Sequence, residues 1–246
     1  MKSFAIAILL AAAAGFASTT ARADPRLDEK VYTPYIERGV GELEVRPAVL
    51  AGGDVTTVIE TEYGVNDRLS LALVGGIQRA PDQHARFTGI GLEGVIYIGQ
   101  IPKLGVDTGV YLEYTHGLNG EADVAEAKLL FAKTEGRFQG LLNVILERPL
   151  APKDEAFGSY GYAASATWRT IGALRLGAQA FGNLGTDHQF PEKMGAYLGP
   201  QLLWEGRPFQ APFEIAVDAG WLFPINAYTA EANSQFRVGF ELERRF

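Results

Sequence analysis

The amino-acid sequence predicts an all-β fold, a transmembrane antiparallel up-and-down β-barrel of about twelve strands within a range of about 10 to 14. Three observations predict it. An export signal opens the chain, alternating apolar and polar segments follow one another to its end, and the connections between those segments sort into a short set and a long set.

The export signal occupies residues 1–23. Lys2 gives the positive start, Phe4 to Ala17 is an unbroken apolar and small run, and Ala21-Arg22-Ala23 is the small-x-small pattern at which signal peptidase cuts. The run is shorter than the ~20 apolar residues a spanning helix needs, and no Cys at the cut marks a lipid-anchored form. Cleavage after Ala23 leaves Asp24 first. Losing Lys2 and Arg22 takes the 22 basic residues to 20 against 29 acidic ones, a formal balance of −9. That sign excludes a nucleic-acid partner, which requires basic surface. The chain has no cysteine, so no disulfide framework stabilises it. It has 29 glycines, many aromatics and a mean hydropathy near zero, which suits apolar residues alternating with polar ones.

Residues 24–40 read as a periplasmic lead-in, in which Val31-Tyr32-Thr33-Pro34-Tyr35 could cover the barrel mouth; residues 41–246 are the barrel. The alternating segments run at about 41–50, 54–64, 69–77, 86–98, 104–115, 124–134, 137–148, 160–170, 174–184, 195–205, 213–223 and 235–246, with bounds uncertain by ~2–4 residues. Side chains alternate faces along a strand, so a lipid-facing strand reads apolar, polar, apolar. In the last segment Phe236, Val238, Phe240, Leu242 and Phe246 share one face, and Gln235, Arg237, Gly239, Glu241, Glu243 and Arg245 share the other. Connections 65–68, 99–103, 135–136 and 171–173 are short, with 206–212 longer; 78–85, 116–123, 149–159, 185–194 and 224–234 form the long set, and 51–53 is its tight exception. Short turns at one mouth and long loops at the other are what a membrane barrel shows. On the outward phase Tyr63, Trp168, Trp204, Phe213 and Phe246 gather at the short-turn ends, and Tyr114, Tyr160, Trp221 and Phe223 at the long-loop ends, as two interfacial girdles would. Pro47 and Pro200 remove ladder donors, and bulges or fraying are expected there.

The ending Val-Gly-Phe-Glu-Leu-Glu-Arg-Arg-Phe resembles the terminal strand of bacterial outer-membrane barrels, whose final Phe is read by the barrel-assembly machinery. That resemblance implies Phe246 as an assembly signal, the outer membrane of a Gram-negative bacterium as location, and outer-membrane lipid and the assembly machinery as partners. Arg244 departs from the pattern, where an apolar residue is usual; at a membrane edge an arginine can snorkel. Residues 31–46 and Glu62-Tyr63-Gly64-Val65-Asn66-Asp67-Arg68 are also similar to openings in uncharacterised proteobacterial barrels, among them the phenol-degradation outer-membrane family. The second resemblance implies a transport-like role with no named solute.

The inward phase carries Glu42, Glu44, Glu60, Glu62, Glu93, Glu113, Glu126, Glu147, Glu205, Glu214, Asp218, Glu241 and Glu243 against Arg46, Lys128, Arg169, Arg175, Arg237 and Arg245. Buried charge without partners or water is too costly, so the interior must be hydrated or cross-paired. Barrels of about 8 strands are filled by side chains and those of about 16–18 hold an aqueous channel, which leaves twelve between. One reading is a narrow acidic pore preferring small cationic solutes. The other is a water-laced ion-pair network filling the barrel, a structural or surface-interaction protein. A lipid-modifying enzyme would need a nucleophile beside its base. His84, His116 and His188 all fall in expected external loops, and none adjoins a strand Ser, so no enzyme, catalytic residue, metal site or cofactor is expected. Gly91 and Gly94 lie in strands and make no nucleotide loop.

Overall fold

The structure, a computed structural model, describes residues 29–50, 52–150, 157–191, 195–208, 211–225 and 234–246. Ala21 and Ala23, where cleavage is expected, lie outside the described residues. The strands are β1 (Val40–Leu50), β2 (Val55–Asn66), β3 (Leu69–Arg79), β4 (Arg86–Ile101), β5 (Val106–Gly117), β6 (Val124–Glu135), β7 (Phe138–Pro149), β8 (Ser159–Arg169), β9 (Leu174–Thr186), β10 (Ala196–Gly206), β11 (Glu214–Pro224) and β12 (Gln235–Arg245). Each pairs antiparallel with its sequence neighbours, and β1 pairs with β12, so the sheet closes with no free edge. Closure removes the unpaired backbone groups that hydrocarbon cannot satisfy.

The alternation sets each strand's facing. On β4, Ile90, Leu92, Ile96 and Ile98 point outward and stay exposed, while Glu93 and Val95 between them are buried inside. β12 shows the same division: Phe236, Phe240 and Leu242 face out, and Gln235 faces in with no exposed surface. Trp221, Phe223 and Phe236 form an outward aromatic cluster toward the long-loop mouth, with Trp221 stacked on Phe223 at 6.1 Å between centroids. Phe246 stays 80 % exposed at the opposite rim. Its amide N–H donates to the Gly39 carbonyl at 2.8 Å, and the Arg244 guanidinium lies 5.5 Å from its ring centroid. Arg244 thus keeps its head over an interfacial ring rather than in hydrocarbon.

The two prolines act through their missing donors, but without bulges. Pairing of β1 with β12 lapses between Val45↔Phe240 and Ala48↔Arg237, and pairing of β10 with β11 lapses between Leu198↔Phe223 and Gln201↔Gly220; both resume in the same register. Register shifts occur elsewhere, at Gly64/Asn66, Gly76/Ile77, Tyr97/Gly99 and Tyr160/Gly161. All four pairs include a glycine, and at three of them, Gly64, Gly76 and Gly161, another part of the chain comes close. A Cβ on Gly76 would stand 2.4 Å from Thr88 Oγ1, and one on Gly64 would stand 2.1 Å from the Glu37 carbonyl oxygen.

The lead-in, read as a periplasmic segment that could cover the mouth, reaches further in. From Gly39 it turns back into the barrel, so that Tyr32 and Glu29 are buried within the lumen. Two apolar groups form there. Tyr32 packs with Val95, Tyr111 and Leu130, and Val31 packs against Ile145, Ala163, Phe181, Tyr197 and Leu222. The physical reason is complementarity: the inward face is acidic, and Lys30 adds a second cation to the Glu44 and Glu60 carboxylates that Arg46 of β1 already meets.

Candidate functional site

The site is the lumen, built by inward residues of the strands and by residues 29–37. At mid-height Lys30 Nζ donates to Glu44 at 2.5 Å and to Glu60 at 3.3 Å, and Arg46 Nη1 donates to the same two carboxylates at 2.6 and 2.7 Å. Two cations and two carboxylates here compensate one another, which is the condition for burying any of them. Asn143 on β7 grips the lead-in backbone. Its Oδ1 accepts from the Tyr32 N–H at 2.7 Å, and its Nδ2 donates to the Tyr32 carbonyl at 2.9 Å. Lys128 on β6 donates to Glu29 at 2.6 Å and to Glu126 at 2.9 Å, with its ammonium 4.3 Å from the ring centroids of both Tyr32 and Tyr111. Tyr111 O–H contacts Glu93 at 3.0 Å and also Glu113, which Thr115 O–H reaches at 2.5 Å.

Across the lumen the wall of β8 to β11 is mostly neutral. Ser165 O–H donates to Gln201 Oε1 at 2.5 Å, and Gln201 Nε2 donates to Asp218. The Arg237 guanidinium lies 4.4 Å from the Phe181 ring centroid. Arg175 is buried, donating to Thr167 Oγ1 at 3.0 Å and to the Arg137 carbonyl at 3.3 Å. Glu42, Glu62, Glu205, Glu241 and Glu243 face the lumen toward the short-turn mouth, as does Glu214, whose carboxylate meets Arg207 at 3.3 Å. Glu147 faces in toward the long-loop mouth. Arg169 is exposed at the short-turn rim and stands apart from the cluster.

Between the lead-in and the wall of β8 to β12 and β1 lies a cavity of about 350 Å³. Nine carboxylates line it against three cations, Lys30, Arg46 and Arg237. Toward the long-loop mouth the interior closes, with Phe181, Tyr197, Leu222 and Gln235 at or below 1 % exposure. Three carboxylate groups come within 4.8 Å of convergence, Glu42 with Glu241 and Glu243, Glu42 with Glu44 and Glu60, and Glu60 with Glu62 and Glu93. In the latter two, Lys30 and Arg46 already bind Glu44 or Glu60, the arrangement of an ion-pair cluster rather than a metal cage. Two of the three histidines stand by aspartates: His116 Nδ1 meets Asp123 at 2.8 Å, and His188 Nε2 lies 4.0 Å from Asp187. His116 belongs to the end of β5 rather than to a loop. The Tyr114 O–H, the Gly117 N–H and His116 hold the Asp123 carboxyl below the usual carboxylate range.

No protein-family model matches the chain, and no curated protein matches it. Solved structures do. An outer-membrane channel from Pseudomonas putida F1 superimposes with a TM-score of 0.58 at 12% identity, covering 89% of this chain and 99% of that one. The NanC porin gives 0.60 at 9% identity, covering 83% and 100%. The fold is that of bacterial outer-membrane channels. The KdgM porin agrees, with a TM-score of 0.53 at 10% identity over 83% of this chain and 99% of that one. At such identities the likeness is of fold alone, and the function rests on this barrel's own lumen.

Sequence reasoning gathered the inward charges but missed Lys30, Tyr32 and Asn143. Asn143 sits on the inward phase of β7 between Leu141 and Ile145, so its facing was readable although its partner was not. Nothing in the sequence pattern signals where Lys30 would reach.

Proposed function

We propose that the barrel is a permeation pathway in the outer membrane of a Gram-negative bacterium, passing small solutes with a preference for cations. The carrying observation is the cavity in which nine carboxylates face three cations. Rings of acidic side chains in a low-dielectric wall raise the local concentration of positive solutes and repel anions. The channel and porin names of the three structural neighbours support a transport role without naming a solute. In this reading the mature chain starts at Asp24, the assembly machinery reads Phe246, and the short-turn mouth faces the periplasm. The test is the reversal potential of the mature protein in planar bilayers under a potassium chloride gradient. A small conductance with the sign of cation preference is expected; an anion-preferring channel overturns the reading.

One observation favours a second reading, a structural or surface-interaction barrel with a filled lumen. The interior toward the long loops is sealed by Phe181, Tyr197, Leu222 and Gln235, and Val31 packs on that seal. Bilayers that stay silent at every voltage would favour it. A lipid-active enzyme has less support, because His116 bonds to Asp123 and His188 lies near Asp187, positions suited to holding loops.

A further inference from the structure

Resting on the reading of the lumen as a solute pathway, we propose that the solute class it accommodates is zwitterionic. The cavity would take a molecule of amino-acid size, its ammonium end toward the glutamates of the mouth and its carboxylate end toward Gln179 and Arg46. The cavity is divided along the barrel axis. Glu42, Glu62, Glu241 and Glu243 lie toward the mouth, whereas Arg46 and Arg237 lie four residues deeper than Glu42 on β1 and Glu241 on β12, with Gln201 across the ladder at the level of Arg237 and with Glu44 and Asp218 beside them. From Glu241 to Arg237 is roughly 13 Å at a strand rise of about 3.3 Å per residue, before the two long side chains close that span from both ends.

Gln179 carries the argument. It is 95 % buried and lines the cavity, and among the described residues no acceptor meets its Nε2. An amide donor shut away from water without an acceptor is costly, and such groups are scarce in folded proteins. Its neighbour on the wall is satisfied: Gln201 accepts from Ser165 and donates to Asp218. Gly220 opposite leaves the space that the Gln179 amide fills, since a Cβ there would stand 1.6 Å from Nε2. Arg46 adds a second buried donor, because its Nη1 serves Glu44 and Glu60 while its Nε has no acceptor among the described residues.

A simple alkylammonium ion satisfies the glutamates of the mouth and leaves both donors unmet. A simple carboxylate meets the donors, but nine carboxylates line its path. A zwitterion satisfies both ends at no net charge. The volume of about 350 Å³ is at the small end of ligand cavities, enough for one small molecule and too little for an oligomer.

The test uses the mature chain folded in detergent and three probes of equal carbon count: 4-aminobutanoate, butylammonium and butanoate. By titration calorimetry, 4-aminobutanoate is expected to bind at least tenfold more tightly than butylammonium, with butanoate weakest. Gln179→Leu should lower the zwitterion to the butylammonium level. Gly220→Ala, which displaces the amide without touching its chemistry, should do the same and keeps the test open if Gln179→Leu fails to assemble. Equal binding of zwitterion and ammonium by the unmodified protein, binding of neither, or a preference that survives both substitutions overturns the proposal. The two ideas fail separately. A channel without cation preference in potassium chloride overturns the permeation reading, whereas a cation-selective channel with no zwitterion preference overturns only the present one.

Discussion

Replacing Asn143 with Leu is expected to loosen the lead-in while leaving the barrel closed. Asn143 is fully buried and its amide makes two bonds to the Tyr32 backbone, at 2.7 and 2.9 Å. Two neutral hydrogen bonds contribute ~1–3 kcal/mol net, and more where the freed backbone groups cannot reach water. The ladder of β7 with β6 and β8 does not use the side chain, so assembly should be kept. At 1.4 kcal/mol per tenfold, the released population of residues 29–36 rises roughly five- to a hundredfold. Other anchors persist, since Lys30 still meets Glu44 and Glu60 and Glu29 still meets Lys128, so release is transient rather than complete. The chain has no cysteine, and Val31→Cys therefore provides a single reporter thiol packed against the apolar seal. Its reaction with a bulky charged maleimide should accelerate by that factor in the Asn143→Leu background. An unchanged labelling rate, with heat-modifiability intact, would show that Asn143 does not hold the lead-in.

Four further outcomes follow from the same geometry. Glu241→Gln with Glu243→Gln should weaken cation preference, read as a reversal potential nearer zero; an unchanged potential would place selectivity elsewhere than the mouth. Labels at His116 or Asp187 should react on intact cells and labels at Asp67 or Thr170 should not, whereas equal reactivity would contradict the assigned orientation. Acidification should release the Gly117 amide from Asp123 only below the ordinary aspartate range: the lowered carboxyl keeps its contribution above its unfolded value and loses it as pH falls through the folded one, so an amide-shift midpoint at or above the ordinary value would count against it. Deleting Phe246 removes one ring and the bond to Gly39, at most ~1.5–3 kcal/mol for the ring, yet should cut membrane-inserted protein in cells far more than refolding in detergent; equal losses in both would make it an ordinary girdle residue.

The strands were legible because hydrocarbon imposes a rule on every second residue. Leu92 beside Glu93 and Phe240 beside Glu241 cannot exchange faces without placing a carboxylate in lipid, so phase and register are over-determined along each strand. Closure of β1 on β12 could be expected for the same reason, since an open edge would leave backbone donors in a solvent that accepts none. The lead-in obeys no such rule. Val31-Tyr32-Thr33-Pro34-Tyr35 has neither a strand partner nor a lipid face, and its seat depends on Asn143, 111 residues away in sequence, and on glutamates that two different strands bring together. The same blindness applies to Gln179 and Gln201. They share the inward phase with the charged residues, yet among the described residues one amide finds partners and the other's Nε2 does not. Only the closed barrel distinguishes them, because Gln201 falls between Ser165 and Asp218 while Gln179 is carried over Gly220. A lumen is thus specified in two stages. Alternation decides which side chains enter it, and curvature then decides which of them meet; an acidic interior whose cations come partly from a segment outside the strands is a consequence of the second stage that no count of inward charges contains.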